Sequence, residues 1–194
     1  MKISRDLTLE RRLVAIAESC DWLMVALVEA RELELKDWCI GAGAVRSVVW
    51  DTLHDYANHT AVEDIDLVYF DPDQTDIEID KSLSSRLPEV FPGSAWEVVN
   101  QATVHVWYPS AFGHDVDPFK SLEEGVGSWP EYATAVGLGL NDDETIRVIA
   151  PHGLEDLFEM RVRHNPSRAS VDAFQERMRT KCFKERWPQV TVYL

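Results

Sequence analysis

Two short apolar runs lie within residues 37–73, and this pattern constrains the fold more than any other part of the chain. The first run, Trp38-Cys39-Ile40, has the length of a buried strand and leads into the glycine turn Gly41-Ala42-Gly43. The apolar positions of residues 44–54 recur about every 3.6 residues, so we predict a helix there. The second run, at 65–70, reads as another strand. The sequence therefore predicts the order strand, glycine turn, helix, strand.

Asp64 and Asp66 open the second strand. Because side chains alternate along a strand, both carboxylates would point to one face, with their Cα atoms about 6.6 Å apart. At a separation of about 5 Å and an effective dielectric constant of about 20, their repulsion is roughly 3 kcal/mol, and a divalent cation would turn it into attraction. Two acids at the start of an edge strand are also typical of a solvated strand end. The pair therefore indicates a metal site only in combination with its surroundings.

The glycine turn supplies such surroundings. A turn through Gly41 and Gly43 that leads from a strand into a helix brings backbone N–H groups and a helix N-terminus toward an anion. The stretch is not a Walker loop, because no Gly-Lys-Ser/Thr follows, and it is not a strict GxGxxG motif. We predict a phosphate-binding turn beside the two carboxylates.

The whole chain is expected to form an α/β (α+β) fold, a small mixed sheet with helices packed against it. We predict one domain over residues 1–194, with N-terminal helices at 1–34, the core sheet at 35–150 and C-terminal helices at 151–194. Local patterns predict a helix over 76–87 with a Thr75/Glu78 capping box, strands over Trp96–Val99 and Thr103–Tyr108, and a hairpin of 134–140 and 145–150. They also predict helices over Gly153–Arg163 and Val171–Lys184 and an edge strand over 190–193.

The formal net charge of −15 would repel a polyphosphate backbone and argues against a long nucleic acid as partner. Residues 1–149 carry 11 Lys and Arg against 28 Asp and Glu, whereas residues 150–194 carry 8 against 6. This split is typical either of an ordinary acidic surface or of an acidic metal site that faces a basic, anion-binding end.

Cys20, Cys39 and Cys182 are far apart and form no CxxC pair, so the sequence predicts neither a disulfide framework nor a zinc knuckle. The first residues lack the apolar core of a signal peptide, and the longest apolar run, 22–28, is too short to span a bilayer. We therefore expect a cytoplasmic protein without a membrane partner.

These residues resemble the nucleotidyltransferase superfamily with the polymerase beta-like fold, which includes DNA polymerase beta and the tRNA CCA-adding enzymes. The turn at 41–46 resembles that of the CCA-adding enzymes, with Arg46 at their arginine position, whereas Ser47 stands where they usually carry Asp. The segments WCIGAGAVRSVVWDTLHDY, EDIDLVYFD and APHGLEDLF are similar to an uncharacterised bacterial family described as nucleotidyltransferase-like.

The resemblance implies that Asp64 and Asp66 hold Mg²⁺ and that a third carboxylate on a neighbouring strand completes the site. Glu97 is the best candidate for that third ligand or for a base, but Asn100, at the end of the same run, is an alternative. Asparagine offers a carbonyl oxygen without charge, so a site built with Asn100 would bind metal more weakly. Gly41, Gly43 and Arg46 are expected to form the phosphate-facing turn.

The predicted function is Mg²⁺-dependent transfer of a nucleoside monophosphate from a nucleoside triphosphate to a small-molecule or protein acceptor. The alternative is a degenerate member that keeps the fold for nucleotide binding or protein interaction. The third acidic position discriminates between them. The motifs leave open which triphosphate is used, what the acceptor is and which oligomer forms.

Three further features are candidates for substrate contacts. His114 lies in a predicted loop, where it could approach a substrate, although a lone histidine is more often structural. Trp107 and Tyr108 could line a base pocket, although tryptophans are first expected in the core. One or two of the C-terminal cations could contact triphosphate oxygens; they are Arg161, Arg163, Arg168, Arg177, Arg179, Lys181, Lys184 and Arg186.

Overall fold

A computed structural model describes residues 2–193, with side chains from Thr8 onward. Met1 and Leu194, the two ends of the predicted domain, lie outside the described residues. The helices are α1 (Lys2–Glu18), α2 (Asp21–Arg31), α3 (Ala42–Leu53), α4 (Ile77–Arg86), α5 (Val104–Phe112), α6 (Leu122–Gly127), α7 (Glu155–Phe158), α8 (Val171–Lys181) and α9 (Phe183–Arg186). The strands are β1 (Trp38–Gly41), β2 (Asp64–Tyr69), β3 (Ala95–Asn100), β4 (Gly137–Leu140), β5 (Ile146–Ile149), β6 (Arg161–Arg163) and β7 (Thr191–Tyr193).

The central sheet has five strands in the order β3-β2-β1-β4-β5. β2 and β3 run parallel, and the other neighbours are antiparallel, so the sheet is mixed as the sequence predicts. In this register Gly41 lies opposite Asp66 on one side, and Glu97 lies opposite Asp66 on the other. The parallel pairing of β2 with β3 thus brings three predicted site residues to neighbouring positions.

The two faces of the sheet are used differently. Ile65 and Leu67 of β2 point into the main apolar core, which includes buried residues of α1, α2 and α3. Asp64, Asp66 and Val68 alternate with them and face the other side, as the two-residue period of a strand requires. On that side Val68 belongs to a smaller apolar cluster that includes residues of α6. The carboxylates therefore lie on the less covered face.

The prediction of a strand over Thr103–Tyr108 is wrong, because this segment forms a short 3₁₀ turn and α5. The Asn100 side chain caps the 3₁₀ turn by accepting a hydrogen bond from the Ala102 N–H. Gly113, with φ of 79°, ends α5 in the left-handed conformation that glycine adopts easily. The caps at both ends thus favour helical structure over the strand that the alternation of apolar residues at 104–108 predicts.

The prediction of one helix over Gly153–Arg163 is correct only for the single turn α7. The chain then leaves the helix at Met160, whose φ is 51°, and forms β6, which pairs in parallel with β7. This pairing joins residues about thirty positions apart, and local patterns do not report such contacts. α4 is also capped differently from the prediction, since Asp76 rather than Thr75 accepts from the Glu78 N–H.

No described helix is both long enough and apolar enough to cross a membrane.

Candidate functional site

Three carboxylates converge on the less covered face of the sheet. Asp64 and Asp66 project from β2 and Glu97 projects from β3, and one ligand oxygen from each lies within 4.8 Å of the others. The two aspartates are partly buried and Glu97 is exposed. We call these three residues the acidic cluster. Carboxylate oxygens are the ligands that Mg²⁺ and Ca²⁺ prefer, so the cluster can hold a divalent ion.

The electrostatics of the acidic cluster favour a bound cation. Burial raises the pKa of Asp66 to about 7, and repulsion from Asp64 and Glu97 acts in the same direction. Arg177 and Lys181 oppose this shift but do not cancel it. In the absence of metal, Asp66 thus binds a proton far more readily than an ordinary aspartate, and a divalent cation would take that proton's place.

Asn100 does not take part in the acidic cluster. It lies three residues beyond Glu97 along β3, a distance of about 10 Å, and its side chain is fully buried. Its carbonyl oxygen accepts from the Asp71 N–H at 3.1 Å and from the Ala102 N–H, and its amide donates to the carbonyls of Asp71 and Gln74, both at 2.8 Å. The amide thus ties the end of β3 to the loop after β2.

The two glycines of the turn have different neighbours. A Cβ on Gly41 would lie 2.5 Å from the Trp129 ring and 2.8 Å from the Val136 carbonyl oxygen, whereas a Cβ on Gly43 would find its nearest neighbour at 3.7 Å. Gly41 is thus needed for close packing under Trp129. Gly43 has room for a Cβ and borders the cleft from the first turn of α3, which has no side-chain cap.

We expect the substitution Gly41→Ala to destabilise the protein by about 1–3 kcal/mol, because the ring and the backbone carbonyl must both move. Gly43→Ala is the matched control and is expected to cost nothing, or to add a few tenths of a kcal/mol, since alanine favours helix. Urea unfolding of the two variants measures the difference. Equal stabilities would show that Trp129 moves aside freely.

Arg46 is nearly buried, with 4% of its surface exposed, and it borders the cleft. Its guanidinium lies 4.9–5.4 Å from the ring centres of Trp50, Phe183 and Trp187. One amine donates to the Ser47 hydroxyl at 3.3 Å, while Nε and Nη1 have no hydrogen-bond partner within the described part of the chain. Burial lowers the Arg46 pKa to about 10, so the group stays charged at neutral pH.

Three other cations border the same polar cleft of about 230 Å³: Arg177 and Lys181 of α8 and Arg186 of α9. Arg177 is held by an ion pair with Glu131, a fully buried residue that also accepts from the Thr134 hydroxyl at 2.6 Å. The sequence motifs indicate the cations as a group but not Glu131. A glutamate within the otherwise uncharged stretch 129–140 is the only signal that the sequence offers.

A second, larger cavity of about 650 Å³ adjoins the cleft and shares Asp66, Trp129, Pro130 and Arg177 with it. We call it the aromatic chamber, because its walls include Trp107, Tyr108, Phe112, Phe119 and Trp129. His114 also borders it. Three residues that the sequence suggested for substrate contact, namely Trp107, Tyr108 and His114, therefore lie together.

A small mixed sheet that presents two strand aspartates and a glutamate of the next strand beside a glycine turn defines a nucleotidyltransferase-like fold. The chain belongs to the nucleotidyltransferase family, whose model, described as Nucleotidyltransferase, matches residues 28–192. The resemblance that the sequence motifs carry is thereby confirmed. A comparison with curated proteins finds no match.

Solved structures share the fold. An NMR structure described as revealing a CCA-adding enzyme head domain superposes with a TM-score of 0.75 at 29% identity, covering 94% of this chain and 95% of the other. A CCA-adding enzyme in complex with ATP gives 0.51 at 14% identity, covering 96% of this chain, and a tRNA-processing enzyme gives 0.51 at 20%, covering 86%. This chain spans 40% and 42% of those two enzymes, so they support the fold alone.

Proposed function

We propose that the protein is a Mg²⁺-dependent nucleotidyltransferase that moves a nucleoside monophosphate from a nucleoside triphosphate to a small-molecule or protein acceptor. The observation that carries this proposal is the convergence of Asp64, Asp66 and Glu97 beside a cleft bordered by cations. The same convergence favours an enzyme over a protein that only binds nucleotide, because a degenerate site has no need of a third charged oxygen.

The residues present fit Mg²⁺. Three carboxylates with oxygens within 4.8 Å can supply a hard cation with oxygen ligands, and repulsion from Asp64 and Glu97 adds to the burial that raises the pKa of Asp66. When bound, the ion would align the phosphates and offset the charge that develops on them. In this proposal Asp64 and Asp66 hold the ion, and Glu97, the exposed member, is the third ligand or accepts the proton of the attacking hydroxyl.

The cleft is suited to a triphosphate. It is bordered by Arg177, Lys181 and Arg186 and by the first turn of α3, which has no side-chain cap. Arg46 adds a buried positive charge at its edge. Cations and backbone N–H groups around one small polar cavity can bind phosphate oxygens by charge-assisted hydrogen bonds. The ion pair with Glu131 orients Arg177, which makes Glu131 a positioning residue.

The acceptor is expected to be a small molecule or a protein rather than a long nucleic acid. A net charge of −15 opposes a polyphosphate backbone, and the 8 cations of residues 150–194 are balanced by 6 acids. The three cysteines are free, in accord with a reducing cytoplasm.

Calorimetric titration with α,β-methylene-ATP tests the binding step, and pyrophosphate release from each of the four nucleoside triphosphates tests the reaction. Binding is expected only with Mg²⁺ or Mn²⁺, and release is expected to rise above background when an acceptor is present. If the analogue binds equally well in excess EDTA, the acidic cluster does not hold the metal and the proposal fails.

A further inference from the structure

The polar cleft and the aromatic chamber lie end to end on either side of the acidic cluster. Along β2, Asp64 borders the cleft, Asp66 borders both cavities and Val68 forms part of the chamber floor. Asp64 and Val68 are four positions apart along the strand, a distance of about 13 Å. α8 repeats this order, since Lys181 borders the cleft while Ala173, about 12 Å away along the helix, borders the chamber.

This order assigns a direction to the proposed transfer. In a nucleotidyl transfer the attacking and leaving oxygens lie roughly in line through the α-phosphorus. Of the cations that can receive pyrophosphate, Arg46, Lys181 and Arg186 border the cleft alone, while Arg177 borders both cavities. The attacking hydroxyl must therefore approach from the side opposite the leaving pyrophosphate, which is the mouth of the chamber at Asp66. The nucleoside is a further substituent of the phosphorus, so it lies to the side of the line that joins the attacking and leaving oxygens.

We propose that the aromatic chamber binds the acceptor, a small molecule with a flat aromatic body, a reacting hydroxyl and an anionic group. This inference rests on the proposed function. The flat body fits the walls of Trp107, Tyr108 and Phe119 above an apolar floor of Val68 and Val99. A volume of about 650 Å³ is in the range of pockets that enclose small organic ligands.

The anionic group is inferred from the charges that border the chamber. Among the described residues around it, Arg168 and Arg177 are cationic and Asp66 alone is acidic. Arg168 lies 3.7 Å from the ring centre of Phe119, and its Nη1 is buried without a hydrogen-bond partner. A carboxylate, phosphate or similar group on the acceptor would satisfy this donor.

The transfer balances with the groups present. The acceptor hydroxyl oxygen forms a bond to the α-phosphorus, the bond from that phosphorus to the bridging oxygen breaks, and pyrophosphate leaves toward the cleft. The hydroxyl proton passes to a carboxylate of the acidic cluster, whose oxygens lie within 4.8 Å of one another where the two cavities meet. The products are the nucleotidylated acceptor and pyrophosphate.

Two probes with the same ring and hydroxyl but opposite charge test the chamber: 4-hydroxyphenylacetate and tyramine. Calorimetry should give the anion a Kd of about 1 mM or tighter and tyramine a Kd at least about tenfold weaker. Ala173→Trp, which fills the chamber from an exposed position on α8, should abolish binding of the anion. Arg168→Met should remove the preference between the probes. Thr180→Trp, at another exposed position of α8, is the matched control for Ala173→Trp.

Titration of the same variants with α,β-methylene-ATP and Mg²⁺ separates this proposal from the alternatives. All variants should keep the wild-type affinity for the analogue within about twofold. A loss of about tenfold in Ala173→Trp would mean that the chamber holds the nucleoside, and would overturn the proposal. Equal binding of both probes, or binding of neither, would also overturn it. The probe titrations are made without nucleotide, so they test the chamber independently of the proposed function. Failure of the α,β-methylene analogues of all four nucleoside triphosphates to bind with Mg²⁺ counts against the proposed function.

Discussion

Replacing Asp66 with asparagine is expected to abolish nucleotidyl transfer while leaving the protein folded. Asp66 is the central member of the acidic cluster, opposite Gly41 on one strand and Glu97 on the other. Loss of a metal carboxylate removes several kcal/mol of stabilisation of the transferring phosphoryl group, and about 4 kcal/mol corresponds to roughly a thousandfold in rate. Pyrophosphate release and Mg²⁺ titration of the variant measure the loss.

The same substitution should make the metal-free protein more stable at neutral and alkaline pH. The pKa of Asp66 is about 7 in the folded protein, above its ordinary value, so folding binds a proton that the unfolded chain releases. The contribution of Asp66 to wild-type stability therefore falls as pH rises from about 4 to about 7 and is constant above that range. After allowance for partial exposure, Asp66→Asn should add about 1–3 kcal/mol at pH 8 and flatten this dependence.

Asp142→Asn is the matched control, because it removes the same charge from an exposed turn. It should change neither activity nor the pH dependence of unfolding. Mg²⁺ should raise the melting temperature of the wild type and of Asp142→Asn, but not that of Asp66→Asn. An Asp66→Asn protein that keeps Mg²⁺-dependent activity would contradict the assignment of the acidic cluster as the metal site.

The sequence is sufficient to predict the part of the fold that local patterns dictate. The strand ending at Gly41, the helix that follows and the strand opening at Asp64 all form within one or two residues of their predicted bounds. Each has a local cause: an apolar run of strand length, a period of about 3.6 residues, and alternation. The family resemblance adds that these elements belong to a nucleotidyltransferase-like fold, which the family match confirms.

Long-range contacts lie beyond such prediction. The choice between Glu97 and Asn100 depends on the register of β3 against β2, and no local pattern reports a register between strands nearly thirty residues apart. The environment of Arg46 has the same origin, since Phe183 and Trp187 come from the far end of the chain. Arg46 was expected to face phosphate, and the structure surrounds it with aromatic rings at the edge of the cleft.

Replacing Asn100 with alanine is expected to have the largest effect on stability. The substitution removes four hydrogen bonds of a fully buried side chain. The N–H groups of Asp71 and Ala102 and the carbonyl of Gln74 lose their partner, whereas the Asp71 carbonyl keeps the Gln74 N–H. A buried group left unsatisfied costs about 1–3 kcal/mol, and partial recovery by water should hold the total to about 3–5 kcal/mol. Urea unfolding measures this cost. Glu97→Gln, at an exposed position of the same strand, should cost less than about 0.5 kcal/mol.

The effects of the Glu97 and Asn100 substitutions on metal affinity should be the reverse of their effects on stability. Glu97→Gln replaces a charged oxygen of the acidic cluster with a neutral one, so Mg²⁺-dependent binding of α,β-methylene-ATP should weaken about tenfold or more. Asn100→Ala, measured at a temperature where it is folded, should bind the analogue as the wild type does, because its side chain bonds only to the loop after β2 and to the 3₁₀ turn. If Asn100→Ala lost metal-dependent binding while Glu97→Gln kept it, the third ligand would be Asn100, and the site would be the weaker, degenerate kind that the sequence leaves open.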